Sequence, residues 1–123
     1  MATLNDRVYD NGLGILATEG TRIDICSAEP ATYTAATSTN SLGNKTAITI
    51  SAPAAKAGGG REVTISAVSG GSVTATGTAA YWAISDPTNS RLLATGALSA
   101  SQSVTSGNTF SLASFKIGIP GPV

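Results

Sequence analysis

Alternation of apolar and polar residues is the main pattern in the chain after its first twenty positions. In segment 21–27, Ile23 and Ile25 fall on one face, while Arg22, Asp24 and Cys26 fall on the other, as in a half-buried strand. Similar short segments follow, separated by Gly, Pro and Asn at intervals of about 8 to 15 residues, which is typical of sandwiches and barrels. The sequence predicts a mainly β protein, an antiparallel β-sandwich of about seven strands.

Further strands and turns are predicted from the same pattern. Segment 46–51 is expected to be a strand with Ile48 and Ile50 aligned, and segment 63–75 a hairpin that turns at Ser69-Gly70-Gly71. Segment 80–84 carries bulky residues on both faces, so it is expected to lie centrally in a sheet. Asp86-Pro87-Thr88-Asn89 has the composition of a β-turn.

The last predicted strand changes phase. Phe110 and Leu112 share one face, whereas Phe115 and Ile117 fall on the other. Two explanations are compatible with this shift: a β-bulge near residues 113–114, or a strand that crosses there from one sheet to another.

The N-terminal segment is the part of the chain expected to be helical. Helical spacing of apolar residues predicts a short helix over residues 4–17, with Gly12 as the point where it would break. The predicted organisation is an N-terminal arm and helix (1–20), a β-sandwich domain (21–117) and an extended tail (118–123).

Composition excludes several classes of function. The chain has 123 residues, seven Lys and Arg against seven Asp and Glu, and no His. Seven scattered cations cannot form the basic stripe that nucleic-acid binding needs, and without His the usual general base at neutral pH is missing. No apolar run is long enough to span a membrane. We therefore expect a non-enzymatic protein with no catalytic or metal site and no nucleic-acid or membrane partner.

One motif formally matches a cofactor site. Residues 12–17 read Gly-Leu-Gly-Ile-Leu-Ala, which fits the dinucleotide-binding fingerprint G-x-G-x-x-A. That chemistry needs a buried strand before the glycines and a helix after them, and the preceding residues are polar and helix-like. Helix termination is the favoured interpretation, and no cofactor is expected.

Cys26 is the single cysteine, so it cannot form a disulfide within the chain. Alternation places it beside Arg22 and Asp24, which would expose it and allow a disulfide with another chain. The alternative is burial under the loop that follows at Glu29-Pro30, and this is favoured because free cysteines are usually buried.

Two regions are candidate contact surfaces. Residues 29–45 lack a strand pattern, and we expect a helical turn near residues 31–37, a contact surface around Tyr33 and Leu42, or both. Pro120 and Pro122 are expected to keep the C-terminal tail extended and unable to pair as a regular strand.

Four segments carry a resemblance to a known class of protein: residues 25–34 (ICSAEPATYT), 82–86 (WAISD), 91–98 (RLLATGAL) and 104–110 (VTSGNTF). With these segments the chain resembles small virion proteins of tailed bacteriophages. The resemblance implies a capsid decoration (cement) protein, which binds the outer surface of the major capsid protein lattice as a homo-oligomer, most often a trimer. It also implies a location on the capsid exterior.

An alternative from another class is a tail, collar or fibre module that binds a host glycan or another virion protein. Exposed aromatic side chains would favour it, and Tyr33, Tyr81 and Trp82 are the candidates. In either case the first residues lack a cationic start and an apolar stretch, so we expect synthesis in the host cytoplasm without a signal peptide.

Overall fold

The computed structural model describes residues 6–120, with side chains from residue 11 onward. Within that range the chain forms one α-helix, one short π-helix and nine strands. Helix α1 spans Asp6–Glu19 and the π-helix spans Ala35–Thr39. The strands are β1 (Arg22–Cys26), β2 (Ser41–Thr46), β3 (Ala54–Ala55), β4 (Arg61–Ile65), β5 (Val68–Val73), β6 (Gly77–Asp86), β7 (Arg91–Val104), β8 (Thr109–Leu112) and β9 (Phe115–Ile119).

The strands form two antiparallel sheets. The larger, curled sheet has the order β7-β6-β1-β2-β5-β8, and the smaller has the order β3-β4-β9. The prediction of a mainly β, sandwich-like fold with an N-terminal helix is confirmed, although the described part of the chain has nine strands where about seven were expected.

The main core lies between one face of the large sheet and a layer made of the small sheet and α1. Helix α1 contributes Leu13 and Leu16, and packs beside β4 and β9. The strand residues buried in this core are Ile23, Ile25, Leu42, Val63, Ile65, Val68, Val73, Ala79, Ile84, Val104, Phe110 and Leu112. The opposite face of the large sheet carries a second, smaller cluster formed by Cys26, Ala36 and Ala83.

The second strand along the chain lies earlier than the sequence predicted. β2 covers Ser41–Thr46, whereas residues 47–51 form no regular strand. They are linked to the sheets by a bond from the Ile48 N–H to the Thr21 carbonyl (3.3 Å) and by an isolated bridge between Ile50 and Ile65. The residues of β2 show no alternation that would reveal a strand. They are held by backbone pairing between β1 and β5, and Gly43 allows the close approach, since a Cβ there would lie 2.5 Å from the carbonyl oxygen of Ser72.

The predicted hairpin over residues 63–75 is wrong. Its two strands belong to different sheets, because β4 pairs with β3 and β9 while β5 pairs with β2 and β8. Ser69-Gly70-Gly71 lies within β5, at an irregularity in its pairing with β8. Gly71 packs directly under the Phe110 ring, so this glycine provides space for an aromatic side chain and does not form a turn.

Three other predictions are confirmed. β6 is central, between β7 and β1, and residues 87–90 turn the chain into β7. The phase change near residues 113–114 is a crossing between sheets, because β8 belongs to the large sheet and β9 to the small one.

The two ends of the chain differ from the expected boundaries. Helix α1 runs without interruption through Gly12 to Glu19, so the G-x-G-x-x-A motif lies inside a helix and marks neither a phosphate loop nor a helix end. Strand β9 continues to Ile119, and Gly118 and Ile119 pair with β4 although they were assigned to the tail. Pro120 follows the strand and cannot extend its pairing, because it has no backbone N–H.

We predict that Gly43→Ala destabilises the protein by about 2 kcal/mol, because the added methyl group would overlap the β5 backbone and press on Phe110. The matched control is Gly14→Ala on α1, where a Cβ meets nothing within 4 Å. That change should be neutral or stabilise by up to about 1 kcal/mol, since alanine favours a helix. Urea unfolding of both variants measures the difference, and equal effects would contradict the close approach at Gly43.

Candidate interaction surface

Strand β7 is the longest strand and forms one outer edge of the large sheet. It has 14 residues and pairs with β6 on one side only. Within the described chain, no other helix or strand makes more than marginal contact with it. A free edge of this kind presents a row of unpaired backbone N–H and C=O groups to a partner.

The first half of β7 carries three leucines that contact the apolar clusters of the protein. Leu92 packs against the small cluster on one face of the sheet, while Leu93 and Leu98 pack against the main core on the other. All three leucines stay half-buried. No charged residue occurs between Arg91 and Lys116, so beyond its first residue the strand carries no charge of its own. One charge reaches it from outside, because Thr95 donates a hydrogen bond to the Glu29 carboxylate at 3.2 Å.

The other sheet edges described in the structure are protected. β8 has four residues and buries only Phe110 and Leu112 on one face, and β3 has two residues. β9 carries the exposed Lys116 and is followed by Pro120. Shortness, lysine and proline are the common means of preventing edge-to-edge pairing. Strand β7 differs from the other three edges in its length and in its lack of charge beyond Arg91.

A tight turn fixes the start of β7. The Asp86 carboxylate accepts hydrogen bonds from the backbone N–H of Thr88 (3.1 Å) and from Nδ2 of Asn89 (2.7 Å). These bonds lower the pKa of Asp86, and the bond from Asn89 has the largest effect. Ser90 completes the turn with a φ of 53°. The carboxylate therefore sets the register in which β7 leaves the turn.

Two bulges interrupt the pairing of β7 with β6. Leu93 is an extra residue between the pairs Ser85–Leu92 and Ile84–Ala94. Further along, the four residues 98–101 lie opposite the single residue Ala80. The longer bulge therefore has backbone groups without a register partner in β6.

The longer bulge forms one wall of an open cleft of about 340 Å³. Its opposite wall is the β8–β9 crossing, and the Trp82 indole lies beneath, 4.6 Å from the Phe115 ring between centroids. Trp82 also covers Gly96, where a Cβ would lie 2.5 Å from the indole ring. Ser99, Gln102 and Ser114 supply polar groups, and no charged side chain lines the cleft.

A buried ion pair organises the opposite face of the large sheet. The Asp24 side chain is fully buried and accepts hydrogen bonds from Nε (2.7 Å) and Nη2 (2.9 Å) of Arg22 and from Oγ of Ser41 (2.7 Å). The bond to Asp24 raises the pKa of Arg22. Arg22 Nη2 also donates to the Thr37 carbonyl at 3.4 Å. The pair therefore joins β1, β2 and the π-helix.

The π-helix closes with a bond from the Asn40 N–H to the Ala35 carbonyl (2.8 Å) and covers the end of β1. Beneath it, Cys26 has no exposed surface, and its thiol donates to the Ala36 carbonyl at 3.6 Å. Burial raises the pKa of Cys26 to about 12. A disulfide between chains is incompatible with this position. The residue is buried, as the alternative interpretation expected, but the π-helix contacts it where the loop at Glu29-Pro30 was expected to cover it.

The residues predicted as contact surfaces are not brought together. Leu42 is buried in the main core, because β2 pairs on both sides and turns this side chain inward. It is therefore not a contact residue. Tyr33 is half-buried beside the π-helix, and Pro120 is exposed after β9. Pro122 lies outside the described residues.

The β7 edge was not recognised from the sequence, although one signal was available. The absence of charge between Arg91 and Lys116 is visible in the sequence, but it identifies a free edge only when the strand order is known. The order places β6 between β7 and β1, so the uncharged strand lies outermost.

We predict that Asp24→Asn destabilises the protein by about 3 kcal/mol, because it leaves the Arg22 guanidinium partly buried without a counter-charge. The control is Lys116→Gln, which breaks an exposed pair with Glu62 at 3.4 Å and should cost less than about 1 kcal/mol. Denaturant unfolding compares the two variants. A loss of similar size in both would show that the buried pair does not hold the π-helix.

For Cys26 we predict a thiol that does not react in the folded protein. A thiolate is the reactive form, and with a pKa of about 12 almost none is present at pH 8. A chromogenic disulfide reagent should therefore label native protein slowly and label one thiol per chain at once in guanidinium chloride. Rapid labelling without denaturant would contradict the buried position.

The described residues contain no group of three or more His, Cys, Asp or Glu placed to hold a metal ion. No helix among them is long and apolar enough to cross a bilayer. Comparison of the chain with protein-family models, with curated proteins and with solved structures found no match to any of them.

Proposed function

We propose that the chain is a non-enzymatic structural protein of a tailed-phage virion, which decorates the outer surface of the capsid and reinforces it. The observation that carries the proposal is the free edge of β7, a long strand that has no charged residue after Arg91 and has leucines on both faces. In a protein that stays monomeric, such an edge promotes aggregation. In an assembly, it provides backbone groups to which a partner strand can bind.

The position of the resembling segments supports this proposal. Residues 25–34 begin at the end of β1, residues 82–86 form the second half of β6, and residues 91–98 form the first half of β7. These strands are neighbours in the large sheet, in the order β7-β6-β1. Three of the four resembling segments therefore lie on or beside neighbouring strands, and the fourth, residues 104–110, connects the end of β7 to β8 at the opposite edge of the sheet.

The rigid parts of the molecule also suit a reinforcing role. Asp24 joins β1, β2 and the π-helix, and the chain crosses between the two sheets at residues 113–114. A protein that strengthens a lattice must carry force between its contact surfaces without opening, and a buried carboxylate with three hydrogen bonds favours such rigidity.

The second candidate is a tail, collar or fibre module that binds a neutral glycan. The cleft at Trp82 favours it, because an aromatic ring with nearby hydroxyl and amide groups is the usual way to hold a sugar. The indole, however, is half-buried between Gly96 and Phe115, which leaves little of its face for a ligand. The decoration role is therefore preferred.

The copy number of the chain in purified particles tests the proposal. We expect quantitative mass spectrometry to find it in a fixed ratio to the major capsid protein, as a lattice-bound protein requires. Particles without the chain should also lose their contents at a lower temperature. A few copies per particle would support the tail or collar candidate, and absence from particles would overturn both.

A further inference from the structure

We infer that the molecule binds a small tetrahedral oxyanion, inorganic phosphate or sulfate, in an open pocket between the end of β2 and the start of β5. The pocket has a volume of about 150 Å³, and Lys45 lines it together with three hydroxyl residues. This site is separate from the β7 edge, and the inference does not depend on the virion role.

The pocket lies where the chain passes twice between the two sheets. Residues 47–53 connect β2 to β3, and residues 66–67 connect β4 to β5. The two connections are joined by a bond from the Ser66 N–H to the Thr49 carbonyl (3.0 Å). β2 and β5 pair at only two positions, and the pocket lies beyond that pairing.

Lys45 is the residue that selects a negatively charged ligand. Its side chain is half-buried, and within residues 11–120 its ammonium group has neither an ion pair nor a hydrogen bond. By contrast, Arg22, Arg91 and Lys116 each lie near a carboxylate, at 2.7, 3.9 and 3.4 Å. Among the described residues that line the pocket, none is acidic. An anion in the pocket would therefore supply the counter-charge that Lys45 lacks.

Three hydroxyl groups supply further donors around the same space. Thr49, Ser66 and Ser69 line the pocket, and in the described part of the chain none of their side chains has a hydrogen-bond partner. Each hydroxyl can rotate to donate to an anion. The ammonium group and the three hydroxyls can each donate to a different oxygen of phosphate or sulfate, whereas a carboxylate has only two oxygens.

The size and the floor of the pocket restrict the ligand further. A volume of about 150 Å³ corresponds to roughly five water molecules, which suits a single phosphate ion and is too small for a nucleotide. The apolar side chains of Val68 and Ile48 line the pocket and belong to the main core or pack against it. Such a floor lowers the local dielectric constant and strengthens the attraction between Lys45 and an anion.

A bend in the chain places two of the donors together. Ala47 lies between Lys45 and Thr49 and has a φ of 55°, in the left-handed region that alanine rarely adopts. Directly after the bend, the Ile48 N–H bonds to the Thr21 carbonyl (3.3 Å) and fixes the segment to the start of β1. Lys45 and Thr49 therefore line the pocket from the two sides of the bend.

A phosphate titration of the full chain, followed by two-dimensional NMR of the amide groups, tests the site. Chloride holds the ionic strength constant, so that general screening does not change. Signals of residues 45–49 and 66–69 should shift with one dissociation constant in the millimolar range, while those of β7 should not. Sulfate should give the same pattern, and acetate should bind about 10-fold more weakly, because it offers fewer acceptor oxygens.

Substitutions identify the residues that hold the anion. Lys45→Gln should raise the dissociation constant for phosphate by about 10-fold or more, since it removes the charged donor. The matched control, Lys56→Gln, removes the same charge from the loop between β3 and β4 and should bind phosphate as wild type does. Ser66→Ala and Ser69→Ala change exposed side chains and should each weaken binding by about 3-fold. These two variants keep the test valid if Lys45→Gln does not fold.

Thermal unfolding gives a second readout. An anion that binds only the folded state raises the unfolding midpoint, and phosphate also stabilises proteins generally because it is excluded from their surface. The general effect should be the same in wild type and in Lys45→Gln. The midpoint of wild type should therefore rise further with phosphate than that of Lys45→Gln, whereas Lys56→Gln should follow wild type.

Several results would overturn the inference. These are the absence of shifts at residues 45–49 and 66–69, unchanged phosphate binding by Lys45→Gln, loss of binding in Lys56→Gln, or equal affinity for acetate and phosphate. The copy number of the chain in particles has no influence on any of these measurements. The oxyanion site and the virion role can therefore fail independently.

Discussion

The fully buried Asp24 carboxylate is the constraint on which much of the structure depends. β1 is covered on both faces, so a charge at this position must be compensated inside the protein. Arg22 provides the counter-charge from the same strand, and Ser41 provides a further hydrogen bond from β2. Because Arg22 also reaches Thr37, the same pair fixes the π-helix over the sheet and thereby buries Cys26.

This constraint explains how an irregular segment becomes part of the fold. The π-helix contributes Ala36 to the small cluster but has little apolar surface of its own. Its position depends on polar bonds that reach β1, whereas the opposite face of the sheet is held by a conventional apolar core. The two faces are stabilised by different physical means, and β7 has leucines in contact with both.

The sequence predicted the parts of the fold in which side-chain burial decides the structure. Ile23 and Ile25 identified β1, and the change of phase between Leu112 and Phe115 identified the crossing between sheets. The predictions were wrong where close backbone contacts, and not buried side chains, determine which residues form a strand. β2 has one buried apolar side chain, Leu42, and Gly71 packs under Phe110 inside a strand, so neither gives the expected local pattern.

The candidate surface was less predictable than the fold, since an edge is a property of strand order. Cys26 illustrates the same limit. Alternation correctly placed it on the face of Arg22 and Asp24, but whether that face is exposed depends on the π-helix, which arrives from outside the strand. The residue pattern shows on which face of the strand a side chain lies. Only the tertiary structure shows whether another element covers that face.

The crossing between β8 and β9 has a consequence for how the chain folds. It lets β9 pair with β4, which brings Ile119 beside Arg61, and β1 likewise pairs with β6 far along the chain. Contacts between residues so distant in sequence form slowly, because the intervening chain must be ordered first. Throughout that delay the uncharged strand β7 is exposed in chains that have not finished folding. An exposed strand edge can pair with other incompletely folded chains, so the rate at which the crossing forms sets how much of the protein reaches the folded state.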